Sequence, residues 1–127
     1  MTVLGQWADE IRKRTKYGAL SHCVYYGSEK QFVSTMVQKD IVLTSYGTVT
    51  AEAQRSIASS PLLSIHWRRV ALDEAHTIKN HATNTARACC QLSAESRWAI
   101  TGTPMQNSIS DLFSLFKFLR HQPWSEA

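Results

Sequence analysis

Residues 68–80, with the sequence RRVALDEAHTIKN, decide the fold because an apolar run leads directly into two adjacent carboxylates and a histidine. Residues 70–72 have the composition of a buried strand, and Asp73 and Glu74 follow without a spacer. Neighbouring like charges cost free energy unless a cation or a polar network receives them. The segment therefore predicts a strand that ends at a functional site.

Further apolar segments alternate between strand-like and helix-like patterns on both sides of this stretch. Such alternation predicts an α/β fold, with a parallel sheet covered by helices on both faces. Ligands of these sheets bind outside the carboxyl ends of the strands. We therefore expect the loop at Asp73 and the loop TGTP, which begins at Thr101, to form one site. The predicted strands are 22–27, 40–47, 67–72 and 97–101, the predicted helices are 2–15, 29–38, 50–57, 82–92 and 110–120, and Ser60 with Pro61 opens a short helical turn.

Length and composition restrict the class of protein. A chain of 127 residues predicts one domain or part of one. The net charge of +4 permits an anionic partner such as nucleic acid. The cysteines, Cys23 and the pair Cys89 and Cys90, lack C-x-x-C spacing, which favours a reducing compartment and predicts no zinc site. We find no signal peptide and no bilayer-spanning run, so no membrane association is expected.

The carboxylate pair suits chemistry on a magnesium-bound nucleotide. Asp73 can hold Mg²⁺ through water, and Glu74 can orient and deprotonate an attacking water molecule. His76 can bridge from this loop to the hydroxyls of Thr101 and Thr103. A metal-dependent hydrolase that uses Asp73, Glu74 and His76 is a weaker alternative because no other ligand set and no H-E-x-x-H motif is present.

Two further segments are ambiguous. The basic run at residues 12–16 is typical of a solvated helix end, although it also suits contact with phosphates. Thr44, Ser45 and Tyr46 follow a predicted strand and carry hydroxyls that can donate to a phosphate. By themselves these three residues indicate only a polar strand end.

Four motifs together resemble the first RecA-like lobe of Swi/Snf-type ATPases in helicase superfamily two. TVLGQWADEI is similar to the end of motif Ia, DIVLTSYGTV to motif Ib, and VALDEAHTIKN, with its DEAH box, to motif II. RWAITGTPMQNSISDLFSLFKFLR is similar to motif III and its following helix. SPLLSIHWRRV and the late PW resemble the branch that contains the helicase-like transcription factor and the Rad-type repair translocases.

The resemblance implies a nuclear, DNA-dependent ATPase that uses ATP and Mg²⁺ to move along double-stranded DNA, and chromatin is a further partner that it implies. Asp73 is then the Mg²⁺ carboxylate, acting through water, and Glu74 the catalytic base, with His76 beside them. The residues implied in coupling hydrolysis to DNA are His76, Thr101, Gly102, Thr103 and Gln106. Gly102 is expected to let the loop turn tightly between the two threonines. The residues implied in lining the DNA path are Gln6, Trp7, Thr44, Ser45 and Tyr46.

The sequence also departs from the family pattern. The phosphate-binding G-x-x-x-x-G-K-[ST] motif is absent, since no Gly-Lys pair occurs. Residues 1–127 are therefore expected to be a partial helicase ATP-binding domain, running from within motif Ia to the helix after motif III. The phosphate-loop strand, the second RecA-like lobe and a RING insert are expected to lie outside it. Alone it is expected to be an inactive piece of a chromatin-remodelling or DNA-repair enzyme. The alternative is a non-catalytic relic that binds DNA or a protein partner.

Overall fold

The computed structural model describes residues 3–27, 32–56 and 59–125, in which short parallel strands alternate with helices. This is the predicted α/β arrangement. The helices are α1 (Val3–Arg14), α2 (Val33–Met36), α3 (Tyr46–Ala53), α4 (Pro61–Ser64), α5 (Asn84–Gln91) and α6 (Ile109–Leu119), with a 3₁₀ helix at Ala75–Ile78. The strands are β1 (His22–Val24), β2 (Ile41–Leu43), β3 (His66–Leu72) and β4 (Ser93–Ala99).

The strands pair in parallel, as expected, but in two separate sheets within the described residues. The pair β1 and β2 is three residues long, and β3 pairs with β4 over seven, from His66 opposite Ser93 to Leu72 opposite Ala99. The single continuous sheet predicted from the sequence is therefore not formed by the described residues. No described strand pairs with a member of both sheets.

Two apolar clusters hold the elements together, and α5 contributes to both. One cluster lies around the β1–β2 pair and α3, and includes Ala88 of α5. The other lies beneath the 3₁₀ helix and α6, and includes Cys89 of α5. Burial raises the pKa of the Cys89 thiol to about 12, so this side chain behaves as a packing residue. Within the described residues, no helix is long and apolar enough to cross a membrane.

A buried carboxylate joins β1, α3 and α4. Glu52, which is 3% exposed, accepts hydrogen bonds from the Tyr25 hydroxyl, from Ser60 Oγ at 2.6 Å and from Leu62 N at 3.2 Å. The predicted helical turn at Ser60 and Pro61 is confirmed, since Ser60 Oγ accepts from Leu63 N as an N-cap and Pro61 is the first helical residue. The network fixes α3 against the end of β1.

Several predicted element boundaries were wrong. The predicted strand 40–47 is confined to Ile41–Leu43, and α3 begins at Tyr46 because Ser45 Oγ caps that helix by accepting from Thr48 N at 3.1 Å. The predicted helix 29–38 is confined to α2, with Phe32 82% exposed and only Met36 buried; residues 29–31 lie outside the described part. β4 begins four residues earlier than predicted because it pairs with β3 along its whole length.

The helical pattern over residues 110–120 puts Leu112, Leu115, Phe116 and Leu119 on one apolar stripe, but the buried side of α6 differs from that stripe. The buried residues are instead Asp111, Ser114, Leu115 and Phe118. Two of them are polar and have hydrogen-bond partners outside the helix: Asp111 accepts from the loop before α6, and the Ser114 hydroxyl donates to the Ile78 carbonyl. An apolar pattern cannot reveal such residues, since their burial depends on hydrogen-bond partners outside the helix.

Candidate active site

The loops that follow β3 and β4 lie side by side, as the sequence predicted. Ile100 N donates to the Leu72 carbonyl at 2.9 Å, and Ala75 N donates to the Ile100 carbonyl at 2.9 Å. These two bonds extend the parallel pairing past the strand ends. Residues 73–76 and residues 101–103 therefore share one edge of the β3–β4 sheet.

Glu74 has a left-handed backbone, with φ 48° and ψ 51°. This conformation costs a residue with a Cβ atom about 1–2 kcal/mol. The following 3₁₀ helix anchors it, because the side chains of Ala75 and Ile78 are both fully buried. The Glu74 side chain remains 67% exposed. Strained residues held in this way concentrate at functional sites, where the backbone aims a side chain.

The Asp73 carboxylate is held at both of its oxygens. Its Oδ1 accepts from Glu74 N at 3.0 Å, and its Oδ2 accepts from the Trp7 indole Nε1 at 3.0 Å. The Tyr46 hydroxyl donates to the Asp73 main-chain carbonyl at 2.7 Å. Burial raises the pKa of the Tyr46 hydroxyl, and the neighbouring Cys89, Asp73 and Glu74 raise it further, so this hydroxyl stays protonated as a donor. Sequence reasoning gave no signal for these contacts, since α1 and α3 lie far from Asp73 along the chain.

His76 links the two loops. Its Nδ1 lies 3.2 Å from Thr101 Oγ1 and 3.3 Å from Glu74 Oε2. Thr101 Oγ1 also accepts from Thr103 N at 3.1 Å. The predicted bridge to Thr101 is thus present, but the predicted bridge to the Thr103 hydroxyl is wrong. That hydroxyl accepts from Gln106 Nε2 at 3.2 Å instead, a partner three residues further along the same loop.

A second link joins the loops through Gln106. Lys79 Nζ donates to Gln106 Oε1 at 2.7 Å, and Gln106 Nε2 reaches Thr103. Asp111 Oδ2 accepts from Gln106 N and from Asn107 N, both at 3.0 Å. Sequence reasoning missed Lys79 and Asp111, although an acid in the first turn of a helix is a known partner for nearby N–H groups. The hydrogen bonds from the N–H groups of Asn107 and Gln106 hold the pKa of Asp111 below its usual value.

The expected reason for glycine at position 102 was wrong. Gly102 does not adopt a left-handed backbone, and a Cβ atom placed on it would meet no other atom within 4 Å. The turn between Thr101 and Thr103 therefore has a backbone that other residues can adopt. Nothing within the described residues requires glycine at this position.

Some of the side chains predicted to line a DNA path hydrogen-bond to other groups within the protein. Thr44 Oγ1 donates to the Tyr25 carbonyl at 2.8 Å, and Ser45 Oγ caps α3. Gln6 is exposed on α1. The contact of these residues with DNA stays a prediction.

The donor set at this edge suits Mg²⁺ bound together with a nucleotide. Among residues 3–27, 32–56 and 59–125, no group of three or more His, Cys, Asp or Glu side chains is placed to hold a metal ion. Mg²⁺ does not require such a cage, because it usually takes one or two carboxylates, several waters and the phosphates of its substrate. Two donors leave lone pairs free on the Asp73 carboxylate, which fits this pattern.

Comparison with known proteins identifies the family. The protein-family model for the SNF2-related domain matches residues 1–127 of the sequence. The chain belongs to the SNF2-related family. This SNF2-related chain is 44% identical over 140 residues to DNA repair protein RAD5 of Mycosarcoma maydis, covering 99% of the chain and 10% of that protein. It is 42% identical over 130 residues to DNA repair protein rad8 of Schizosaccharomyces pombe, covering 98% of the chain and 12% of that protein.

Solved structures show the same relationship. The SNF2-related chain superposes on the Sulfolobus solfataricus SWI2/SNF2 ATPase core in complex with double-stranded DNA with a TM-score of 0.73 and 30% identity, covering 94% of this chain and 23% of that one. The Sulfolobus solfataricus SWI2/SNF2 ATPase core domain gives a TM-score of 0.71 with 30% identity, covering 93% of this chain and 22% of that one. The α/β arrangement is that of the first RecA-like lobe of these ATPases. The chain spans about a tenth of the length of the curated relatives it matches.

Proposed function

We propose that this chain contributes the catalytic carboxylates of a nuclear, DNA-dependent ATPase that moves along double-stranded DNA in DNA repair or chromatin remodelling. The observation that carries the proposal is the edge where Asp73, Glu74, His76 and Thr101 meet. There a strained glutamate stands beside an oriented aspartate, and a histidine joins both loops. Membership of the SNF2-related family supports the same activity.

Each residue has a role that follows from its position. Glu74 is the general base that takes a proton from the attacking water, since its carboxylate is exposed and aimed by a fixed backbone. Asp73 holds Mg²⁺ through water, and its carboxylate is already oriented by two N–H donors. When bound, Mg²⁺ neutralises charge that develops on the phosphates.

The two links between the loops are proposed to couple hydrolysis to DNA. His76 connects Glu74 to Thr101, and Gln106 connects Lys79 to Thr103. Asp111 fixes the same loop to the start of α6. A change at the carboxylates is therefore passed to the loop after β4 and to α6 through direct contacts.

Double-stranded DNA is the proposed partner. The net charge of +4 suits a phosphate backbone, and the similar Sulfolobus core is in complex with double-stranded DNA. The proposed contacts are with the backbone, which gives salt-sensitive binding without sequence preference. The proposed DNA-facing segments are the exposed side of α1 at Gln6 and the polar residues Thr44 and Ser45.

The test requires a chain that also supplies a phosphate-binding loop and a second lobe. We define the rad8 chimaera as the Schizosaccharomyces pombe rad8 protein in which these 127 residues replace the matching segment. The folded chimaera should hydrolyse ATP faster when duplex DNA is added. The 127-residue chain alone should release no phosphate, because it contains no Gly-Lys loop to position the phosphates.

Phosphate release is measured with and without duplex DNA, with rad8 itself as the reference. Melting temperature and ATP binding first establish that the chimaera is folded and competent. A folded chimaera that binds ATP and DNA without DNA-stimulated hydrolysis would contradict the proposed function. That result would favour a non-catalytic relic that binds DNA or a protein partner.

A further inference from the structure

The indole of Trp7 contacts the carboxylate that is proposed to hold Mg²⁺. Trp7 lies on α1, and its Nε1 donates to Asp73 Oδ2 at 3.0 Å across 66 residues of sequence. The side chain is 41% exposed, so the contact lies at the rim of the site. Trp7 and Asp73 belong to different motifs of the sequence. The contact therefore joins α1 directly to the end of β3.

This hydrogen bond fixes the orientation of the carboxylate. Glu74 N occupies Oδ1 and the Trp7 indole occupies Oδ2, so rotation of the carboxylate breaks at least one bond to an ionised acceptor. An ionised carboxylate offers about four lone-pair positions. Two donors therefore orient the group and still leave positions for a water-bound cation. The indole orients Asp73 without blocking it.

Tyr46 fixes the main chain of the same residue. Its hydroxyl donates to the Asp73 carbonyl at 2.7 Å from α3. Tyr46 is also packed against the cluster that contains Leu72 and Cys89, so the hydroxyl is held by burial of its ring. Asp73 is thus held by α1 at its side chain and by α3 at its backbone.

We propose that Trp7 and Tyr46 are positioning residues for the Mg²⁺ carboxylate, with the Trp7 indole N–H setting the orientation of Asp73 and the Tyr46 hydroxyl setting its backbone. The proposal rests on the proposed function, because it assigns a purpose to Asp73. It differs from the role that the family resemblance implies for these two residues, which is contact with DNA. Partners that orient a metal ligand typically change metal affinity or activity by about 10- to 100-fold when removed.

The hydrogen bond itself is tested in the 127-residue chain by the indole ¹⁵N–¹H resonances of its four tryptophans. Loss of one resonance in Trp7→Phe assigns the Trp7 signal. Asp73→Ala should move that signal, because the acceptor is gone. Trp67 is the matched control, since its Nε1 donates to the Leu62 carbonyl at 3.0 Å, away from the site. A Trp7 signal that Asp73→Ala leaves in place would overturn the proposal.

The positioning role is tested in the rad8 chimaera by the Mg²⁺ dependence of ATP binding, measured with a fluorescent ATP analogue. Trp7→Phe should raise the Mg²⁺ concentration for half-maximal binding about tenfold, since it removes one donor to the ligand. Tyr46→Phe should change it in the same direction by a smaller factor, because its bond is to the backbone. Trp67→Phe loses an equivalent indole bond and should leave the Mg²⁺ dependence unchanged.

Duplex DNA affinity separates this role from a DNA contact. The proposal predicts that Trp7→Phe and the parent chimaera bind duplex DNA equally well. Weakened DNA binding with an unchanged Mg²⁺ dependence would overturn it and assign Trp7 to the DNA path. An equal Mg²⁺ shift in Trp7→Phe and Trp67→Phe would overturn it too, since the cause would then be general destabilisation. These are binding measurements, so a chimaera that fails to hydrolyse ATP would contradict the proposed function without altering them.

Discussion

Replacing Glu74 by glycine or alanine tests whether the backbone at the proposed base is strained. Both variants lose the same carboxylate and the same 3.3 Å contact with His76, so those losses cancel in the comparison. At φ 48°, alanine keeps a left-handed penalty of about 1–2 kcal/mol, which glycine avoids. Glycine lowers the free energy of unfolding by about 0.5–1 kcal/mol relative to alanine, because its unfolded chain has more conformational freedom. Glu74→Gly should therefore be more stable than Glu74→Ala by roughly 0.5–1 kcal/mol.

The matched control is Glu95, which is exposed on the extended strand β4. There the order should reverse, with Glu95→Ala more stable than Glu95→Gly by about 0.5–1 kcal/mol. Urea unfolding of the four variants measures both differences, and a 1 kcal/mol difference corresponds to roughly 4 °C in melting temperature. If alanine is the more stable replacement at both positions, Glu74 is not held in a left-handed conformation and the strain argument fails.

Three other predictions concern the loop after β4 and the first turn of α6. Gly102→Ala should leave the melting temperature unchanged, because a Cβ atom at this position would meet open space. Gly18→Ala, at φ +73°, is the control and should lower the melting temperature by a few degrees. A large drop in melting temperature for Gly102→Ala would show a contact that the structure lacks. Asp111→Asn should be less stable than the parent at pH 7, and the deficit should shrink below about pH 4. The folded pKa of Asp111 is lowered, so its contribution is present above the unfolded pKa and is lost as the pH falls through the folded one; a deficit equal at pH 7 and pH 3 in urea unfolding would contradict this. In the rad8 chimaera, the double variant Thr101→Ala, Thr103→Ala should bind ATP normally but displace less of a triplex strand per ATP consumed, because both hydroxyls lie in the links between the loops. Normal strand displacement with only a lower melting temperature would show that the two threonines are purely structural.

The sequence was sufficient to predict the α/β class and the edge at which the site lies. Residues 70–72 are apolar and are followed at once by charge, so the end of β3 was predicted to the residue. The loop at Thr101 was placed beside it because parallel strands end at one edge of a sheet. Local pattern is enough for such features, since the strand and its terminating residues are adjacent in sequence.

Contacts between distant segments could not be predicted in this way. The bond from Trp7 to Asp73 depends on how α1 packs, and no periodic pattern encodes it. The burial of Ser114 has the same origin, because its partner, the Ile78 carbonyl, lies 36 residues away along the chain. Ser45 could not be assigned from its neighbours either, since a residue at a strand end can equally be the N-cap of the next helix.

Single-turnover hydrolysis by the Glu74→Gln variant of the rad8 chimaera tests the central claim most directly. Glutamine keeps the size of the side chain and one of its two oxygen acceptors but cannot accept the proton from water. With ATP and duplex DNA bound, Glu74→Gln should retain the parent's ATP affinity and hydrolyse the bound ATP at least about 100-fold more slowly. Glu95→Gln, which removes a carboxylate from the exposed face of β4, should match the parent. A Glu74→Gln variant that hydrolyses its bound ATP at the parent rate would show that Glu74 is not the catalytic base.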